Sequence, residues 1–151
     1  MSGDLADLYQ EVILDHSRRP RHGKRLTCFD ASAKGNNPLC GDKVQVFVKR
    51  APDGAIADIG FEARGCAISV ASADMMADVV RGMSAAQVKE VASRFRDLAR
   101  TGHAENPDDE ALEALQPFAG VHSYPSRVKC ATLAWHALLA ALDGKQEAGS
   151  E

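Results

Sequence analysis

The spacing of the apolar residues changes at Cys66, and this change limits the folds that the chain can adopt. Before Cys66, the residues Val44, Val46 and Val48 alternate with others, which is the period of a half-buried β-strand. After Cys66, small and apolar residues occur almost all round a helical projection of residues 67–80. Strands followed by helices predict an α+β fold, with helices packed on one face of a small antiparallel sheet of about three strands.

The first half of the chain is predicted to supply the sheet. Segments 44–49 and 56–61 flank the turn sequence 51–54 (APDG) and form a predicted antiparallel hairpin. A third, short strand is predicted at 27–33. The sequence GNNP at 35–38 is a dense cluster of turn-forming residues, so a loop is predicted there.

The remaining segments are predicted to be helical or irregular. Helical spacing of apolar residues predicts helices at 5–17, 66–82, 84–100, 110–115 and 125–144. The basic segment 18–25 is predicted to be a loop that is either solvated or in contact with an acidic partner. Residues 1–144 are expected to form one domain, because a chain of this length can bury one core. The tail 145–151 is expected to be flexible.

Charge and hydropathy argue against several functions. The 18 Lys and Arg against 21 Asp and Glu give a net charge of −3 without a long basic run, so nucleic acid is not an expected partner. The first twenty residues lack the basic-then-apolar order of a signal peptide. Charges interrupt every candidate for the roughly 20 apolar residues that span a bilayer. We therefore expect a cytoplasmic protein with no membrane partner.

Four cysteines then need an explanation, because a reducing compartment favours metal ligands or reactive thiols over disulfides. Cys40 and Asp42 are two residues apart, so in extended backbone both side chains can face one ion. Cys66 precedes a helix whose N-terminus favours a thiolate, and Cys130 lies near the start of the last helix. Cys28 lies outside this pattern and is expected to be a small, buried strand residue.

A site rich in thiolates favours zinc or iron–sulfur chemistry over Mg²⁺ or Ca²⁺. Arg64, Arg127 and Lys129 are candidates for neutralising part of its negative charge. The chain has none of the paired C-x₂₋₄-C knuckles that are usual in structural zinc sites, so an exchangeable site is expected. The spacing alone is also compatible with cysteines scattered through a core, and both interpretations stay open on this evidence.

Four sequence motifs are spread along nearly the whole chain. They are LYQEVILDH at 8–16, NPLCGD at 37–42, GCAIS at 65–69 and RVKCATL at 127–133. Their combination resembles the SufU-type branch of the IscU/NifU-N-like iron–sulfur cluster assembly proteins. The resemblance implies a SufE/IscU-like fold. It also implies that Cys40, Asp42, Cys66 and Cys130 are the metal ligands.

Other features resemble one branch of that superfamily. IscU-type scaffolds carry a histidine directly before the last ligand cysteine and a Leu-Pro-Pro-Val-Lys segment that a chaperone binds, whereas this chain has Lys129 and YPSRV at 124–128. Segment 101–120 resembles the insertion of the SufU branch. In that branch zinc occupies the site until a cysteine desulfurase supplies a histidine ligand, which frees one cysteine to accept persulfide sulfur. The resemblance assigns this role to Cys40.

Three functions follow as hypotheses. The favoured one is a zinc-dependent sulfurtransferase, with Cys40 as the catalytic thiolate. It would accept persulfide sulfur from a pyridoxal-phosphate cysteine desulfurase of SufS type and serve a downstream iron–sulfur scaffold or apo-proteins. The alternative is a scaffold that assembles and transfers a transient [2Fe–2S] cluster, with Asp42 as a weak ligand. The third is an adaptor in which zinc supports folding only.

Overall fold

The structure is a computed structural model that describes residues 2–38, 41–106 and 109–148, with side chains from residue 8 onward. The elements in chain order are α1 (Ser2–Arg18), β1 (Ala31–Asn37), β2 (Asp42–Arg50), β3 (Ile56–Arg64), α2 (Ala67–Val80), α3 (Ala85–Thr101), α4 (Glu110–Leu115), a 3₁₀ segment (Gln116–Ser123) and α5 (Pro125–Leu142). The strands form one antiparallel sheet in the order β1-β2-β3. Among the residues described, every helix is too short or too polar to cross a membrane.

Buried valines on β2 orient the sheet. Val44, Val46 and Val48 are between 0 and 3 % exposed, as their spacing of two predicts. Helix α5 packs on β1 and β2, and α2 packs on β3 and on α5. The prediction of an α+β fold built on a three-stranded antiparallel sheet is therefore confirmed.

The first strand lies later in the sequence than predicted. It covers Ala31–Asn37 rather than 27–33, and so includes most of the segment that was predicted to be a loop. Each of its residues has a partner on β2, with Gly35 opposite Val44. A Cβ at Gly35 would lie 3.0 Å from the Leu133 Cδ1 atom of α5. Close packing of α5 on the sheet therefore favours glycine at this position, and tertiary contacts override local turn propensity.

Cys28 is exposed, so the prediction of a buried strand residue at this position is wrong. The physical reason is that the strand begins only at Ala31, which leaves Cys28 in the preceding irregular segment. The Cys28 Sγ atom accepts a hydrogen bond from Lys49 Nζ at 3.4 Å.

The chain beyond α5 follows the edge of β1. The Lys34 N–H donates to the Gln146 carbonyl at 2.9 Å, and the Ala148 N–H donates to the Lys34 carbonyl at 2.8 Å. These bonds form a parallel bridge between Lys34 and Glu147 and cover backbone groups of an edge strand. Within the predicted tail 145–151, residues 146–148 make these contacts, while 149–151 lie outside the described residues.

Segment 101–120 contributes to the hydrophobic core. Leu112, Leu115 and Phe118 are fully buried. The Phe118 ring meets the Phe95 ring edge-on at a centroid distance of 5.6 Å, and Phe95 stacks on Trp135 at 5.0 Å. Aromatic contacts therefore join the 3₁₀ segment to α3 and α5.

A buried carboxylate holds α1 and the basic loop against α2. Asp74 of α2 is 0 % exposed. One of its oxygens lies 2.6 Å from His16 Nδ1, and the other accepts the His22 backbone N–H at 2.8 Å. His22 Nε2 also lies 2.5 Å from Asp78 Oδ1, one turn further along α2. The loop at 18–25 is thus fixed to the fold at His22.

Candidate metal centre

Residues from three elements meet at one end of the sheet. Asp42 is the first residue of β2, Cys66 is the residue that caps the start of α2, and Cys130 lies near the start of α5. One ligand atom from each residue lies within 4.8 Å of the other two. The structure therefore brings together three of the four predicted metal ligands. The fourth, Cys40, lies outside the described residues.

Asp42 connects the end of the sheet to the start of α2. Its side chain is fully buried, and Oδ1 accepts the Cys66 backbone N–H at 2.9 Å. This bond satisfies a backbone donor at the helix N-terminus that has no partner within the helix. The other oxygen, Oδ2, lies 3.9 Å from Cys66 Sγ. The Asp42 carboxylate is therefore both a structural acceptor and a candidate metal ligand.

Gly65 makes this close approach possible. Its φ is +136°, and a Cβ built there would lie 2.0 Å from Asp42 Oδ1 and 2.9 Å from Asp42 Cα. Backbone of this kind is adopted almost only by glycine. The sequence motif contains Gly65, but its contact with a residue of β2 becomes apparent only in the structure.

Cys130 lies against the end of β1. It is 2 % exposed, and its Sγ accepts a hydrogen bond from Asn37 Nδ2 at 3.8 Å. Asn37 is itself 6 % exposed and pairs with Asp42 across β1 and β2. The role of Asn37 was not predicted, because the turn-forming residues around it predicted a loop. Asn37 lies two residues after Gly35, so both residues share the buried face of β1. This spacing is the sequence signal that could have indicated its burial.

The three cations that were expected to balance the site's charge are exposed. Arg64 lies at the end of β3, Lys129 lies next to Cys130 in α5, and the Arg127 guanidinium lies 4.5 Å from the centre of the Tyr124 ring. Within the described residues, none of the three forms an ion pair with the carboxylate of the site. Among the described residues, two donors at the site are the Cys66 backbone N–H and the Asn37 amide.

The donor set fits zinc. Bond lengths of about 2.3 Å to sulfur and about 2.0–2.2 Å to oxygen place a sulfur ligand and an oxygen ligand of a tetrahedral ion about 3.5–3.7 Å apart. The 3.9 Å between Cys66 Sγ and Asp42 Oδ2 is close to that range. Asp42, Cys66 and Cys130 could therefore hold one ion after small shifts. Cys40, two residues before Asp42, is the predicted fourth ligand.

Known proteins resemble this chain over most of its length. The sequence model for the NifU-like N terminal domain matches residues 8–131. The iron-sulfur cluster assembly scaffold protein IscU of Streptococcus pyogenes serotype M1 is 41% identical over 138 residues, which are 91% of this chain and 84% of that protein. The zinc-dependent sulfurtransferase SufU of Bacillus subtilis (strain 168) is 35% identical over 150 residues, 99% of this chain and 98% of that protein.

A solved structure shares the fold. It is a candidate iron-sulfur cluster assembly scaffold protein for the SUF system from Fervidobacterium islandicum AW-1, with a TM-score of 0.80 and 30% sequence identity. The match covers 87% of this chain and 94% of that one. The region matched by the NifU-like N terminal domain contains Asp42, Cys66 and Cys130. The candidate metal centre thus lies wholly within the region of family similarity.

Proposed function

The chain belongs to the family of NifU-like N-terminal domains, and from this premise we propose that it is an iron–sulfur cluster assembly protein that acts as a zinc-dependent sulfurtransferase. It takes persulfide sulfur from a pyridoxal-phosphate cysteine desulfurase of SufS type. It then passes the sulfur to a downstream iron–sulfur scaffold or apo-protein. The observation that supports the proposal most directly is the convergence of Asp42, Cys66 and Cys130.

Two features favour sulfur transfer over cluster assembly. The relative that matches almost the full length of both chains is named a zinc-dependent sulfurtransferase. Lys129 also precedes the last cysteine of the site, at the position where the resemblance expects histidine in IscU-type scaffolds. The site as proposed holds one zinc ion through Cys40, Asp42, Cys66 and Cys130.

The proposed transfer is a thiol exchange without net oxidation. The Cys40 thiolate attacks the outer sulfur of the desulfurase persulfide, and a bond forms between Cys40 Sγ and that sulfur. The sulfur–sulfur bond of the donor breaks, and its electron pair leaves on the donor's cysteine thiolate. A bound zinc ion keeps its cysteine ligands deprotonated. Asp42 and Cys130 are buried on packed elements, so they keep their places while Cys40 exchanges.

The experiment combines metal analysis with mass spectrometry. The purified protein is expected to contain about one zinc ion per chain, in line with a single four-coordinate site. After incubation with a SufS-type desulfurase and cysteine, Cys40 is expected to gain one sulfur atom. Cys40→Ala should remain folded and should no longer accelerate sulfide release by the desulfurase.

Cys28→Ala is the matched control, because Cys28 is exposed and lies outside the ligand set. This variant should transfer sulfur like the wild type. Sulfur found only on Cys66 or Cys130 would contradict the role of Cys40. A wild-type protein in which no cysteine gains sulfur would contradict the sulfurtransferase proposal itself.

The second candidate function is a scaffold for a [2Fe–2S] cluster. It is favoured by the relative with 41% identity, which is named a scaffold protein, and by a carboxylate ligand that can release a cluster. Reconstitution with iron and sulfide would then give a stable cluster that transfers to an apo-ferredoxin, while no cysteine gains sulfur. If zinc removal unfolds the protein, and neither sulfur transfer nor cluster transfer occurs, the protein is an adaptor with a structural metal.

A further inference from the structure

We propose that Asn37 is a positioning residue for the metal centre. Its side-chain amide donates a hydrogen bond to Cys130 Sγ, which fixes the direction of the sulfur and withdraws electron density from it. The inference rests on the proposed function only in requiring that Cys130 binds a metal ion. It assigns a role to a residue that contributes no ligand atom.

Asn37 lies between two candidate ligands. It is the last residue of β1 and pairs with Asp42, the first residue of β2. Its Nδ2 atom lies 3.8 Å from Cys130 Sγ on α5, a length suited to a large acceptor such as sulfur. A single side chain therefore spans the contact between the sheet and the helix that carries a ligand.

The burial of Asn37 indicates that this bond is required. Asparagine is disfavoured in strands, and a buried amide is costly when its donors have no acceptor. Asn37 is nevertheless 6 % exposed, and Cys130 beside it is 2 % exposed. Once deprotonated, this buried sulfur is a strong hydrogen-bond acceptor. Hydrogen-bond partners that hold a metal ligand in this way fix its orientation and change how strongly it binds the metal.

Solvent weakens the effect that three nearby cations could have on the Cys130 sulfur. Arg64, Arg127 and Lys129 are exposed to solvent, which screens their charges. A neutral amide donor in direct contact stabilises a buried thiolate without bringing a second charge into the core. The Cys66 backbone N–H plays the same part for Asp42, at 2.9 Å.

The decisive measurement is the absorption spectrum of the protein loaded with Co²⁺. Loss of an N–H···S bond leaves sulfur richer in electrons, so the thiolate-to-cobalt charge-transfer band of Asn37→Leu is expected at longer wavelength than in the wild type. The rate of zinc release to a chromogenic chelator is expected to rise about tenfold, in line with the loss of other groups that orient metal ligands. Leucine matches the shape of asparagine and has no donor.

The control is Asn36→Leu. Asn36 is the neighbouring residue of the same type, but it is exposed on the other face of β1. Its spectrum and zinc release are expected to equal those of the wild type. Asn37→Ala, which is smaller and has no side-chain donor, is measured beside Asn37→Leu and serves if the leucine variant does not fold. Thermal unfolding of each metal-free variant establishes that the fold is intact.

Failure of the metal site and failure of the role of Asn37 give different results. A wild-type protein that shows no thiolate-to-cobalt band overturns the metal site and the proposed function with it. A wild-type protein with this band, together with a folded Asn37 variant whose band and zinc release are unchanged, overturns the role of Asn37 alone. A shift of equal size in Asn36→Leu also overturns it, because the effect would then arise from any change at this end of β1.

Discussion

Gly65 sets how closely β2 and the start of α2 can approach. We expect Gly65→Ala to lower the free energy of unfolding by about 2–6 kcal/mol. The substitution adds about 1–3 kcal/mol of backbone strain at φ +136° and about 1–3 kcal/mol from the collision with Asp42. Metal content should fall in the same variant, because the carboxylate is displaced. Urea denaturation and elemental analysis measure the two effects.

Gly54→Ala is the control for that collision. Gly54 also has a positive φ, of +90°, but a Cβ there would meet no atom within 4 Å. Its loss of stability should be limited to about 1–3 kcal/mol of backbone strain, with unchanged metal content. Equal losses of stability and metal in the two variants would show that the contact with Asp42 is unimportant.

The buried carboxylate of Asp74 gives a second prediction for a single residue. Asp74→Leu removes the partner of His16 and of the His22 backbone N–H, and should cost about 2–4 kcal/mol of unfolding free energy. Asp74→Asn keeps an acceptor for the His22 N–H and should cost less. Hydrogen exchange in residues 8–18 should accelerate in the leucine variant, because α1 loses its attachment to α2. Unchanged exchange there would contradict this account.

Residues differ in how far their roles can be predicted from sequence. Cys66 and Cys130 were predicted as candidate ligands because each lies near the start of a helix with a clear apolar pattern. The roles of Asn37, Gly65 and Asp74 depend on which atoms lie opposite them in the folded chain. Such contacts join residues far apart in the sequence, and local patterns contain no information about them.

Among the elements, β1 shows most clearly where an apolar pattern fails. Its buried positions are Ala33, Gly35 and Asn37, which carry little apolar surface because α5 packs closely against them. The alternation of apolar and polar residues that predicted β2 is therefore missing from β1. Because the turn-forming residues at 35–38 predicted a loop, the strand was predicted at 27–33, too early in the sequence. The longer helices were predicted with small errors at their ends, since each carries many buried apolar residues.

Asp58 on β3 and Arg81 at the end of α2 form an ion pair of 2.6 Å that joins two elements. Burial alone would raise the pKa of Asp58, but the hydrogen bond from the Ile59 N–H and the Arg81 guanidinium lower it below its ordinary value of about 4. A carboxyl group whose pKa is lowered by folding stabilises the fold above its unfolded-state pKa. That contribution is lost as the pH falls through the folded-state pKa.

We therefore expect Arg81→Met to reduce the stability that the protein loses between about pH 5 and about pH 2. The difference should be below about 1 kcal/mol, because both side chains are about half exposed and water screens their attraction. Urea denaturation at the two pH values measures it. Arg100→Met, on the exposed face of α3, should leave the pH dependence unchanged. A similar change in both variants would rule out a specific role for the pair.

Across the whole molecule, the candidate ligands belong to elements that are distant along the chain. An ion that binds the folded state and not the unfolded state raises the free energy of unfolding by about 4 kcal/mol when its free concentration is 1,000 times the dissociation constant. Chelation of zinc should then lower the melting temperature by about 10 °C for a chain of this size. Circular dichroism during heating, with and without chelator, tests this. Cys130→Ser should melt at the same temperature in both conditions, and a wild-type protein that behaves likewise after confirmed zinc loss would contradict the prediction.

The fold class and a group of residues that could hold a metal ion could be predicted from the whole sequence, whereas the arrangement around that group could not. Period-two valines and apolar helices determine which layers form, and thiolates with a carboxylate limit which metals bind. The expected balance of charge by Arg64, Arg127 and Lys129 was an inference from proximity in sequence. Their exposure in the fold shows that neighbours along the chain need not face the same way.

Because Cys130 lies on the last helix, the order in which a ribosome makes the chain also orders the assembly of the centre. The contact between Asp42 and the Cys66 N–H joins residues only 24 positions apart and can form early in synthesis. Cys130, the third candidate ligand, becomes available only when α5 has left the ribosome. If the proposed centre binds an ion, a nascent or prematurely terminated chain lacks the complete set, and stable retention of the ion would distinguish finished copies from unfinished ones.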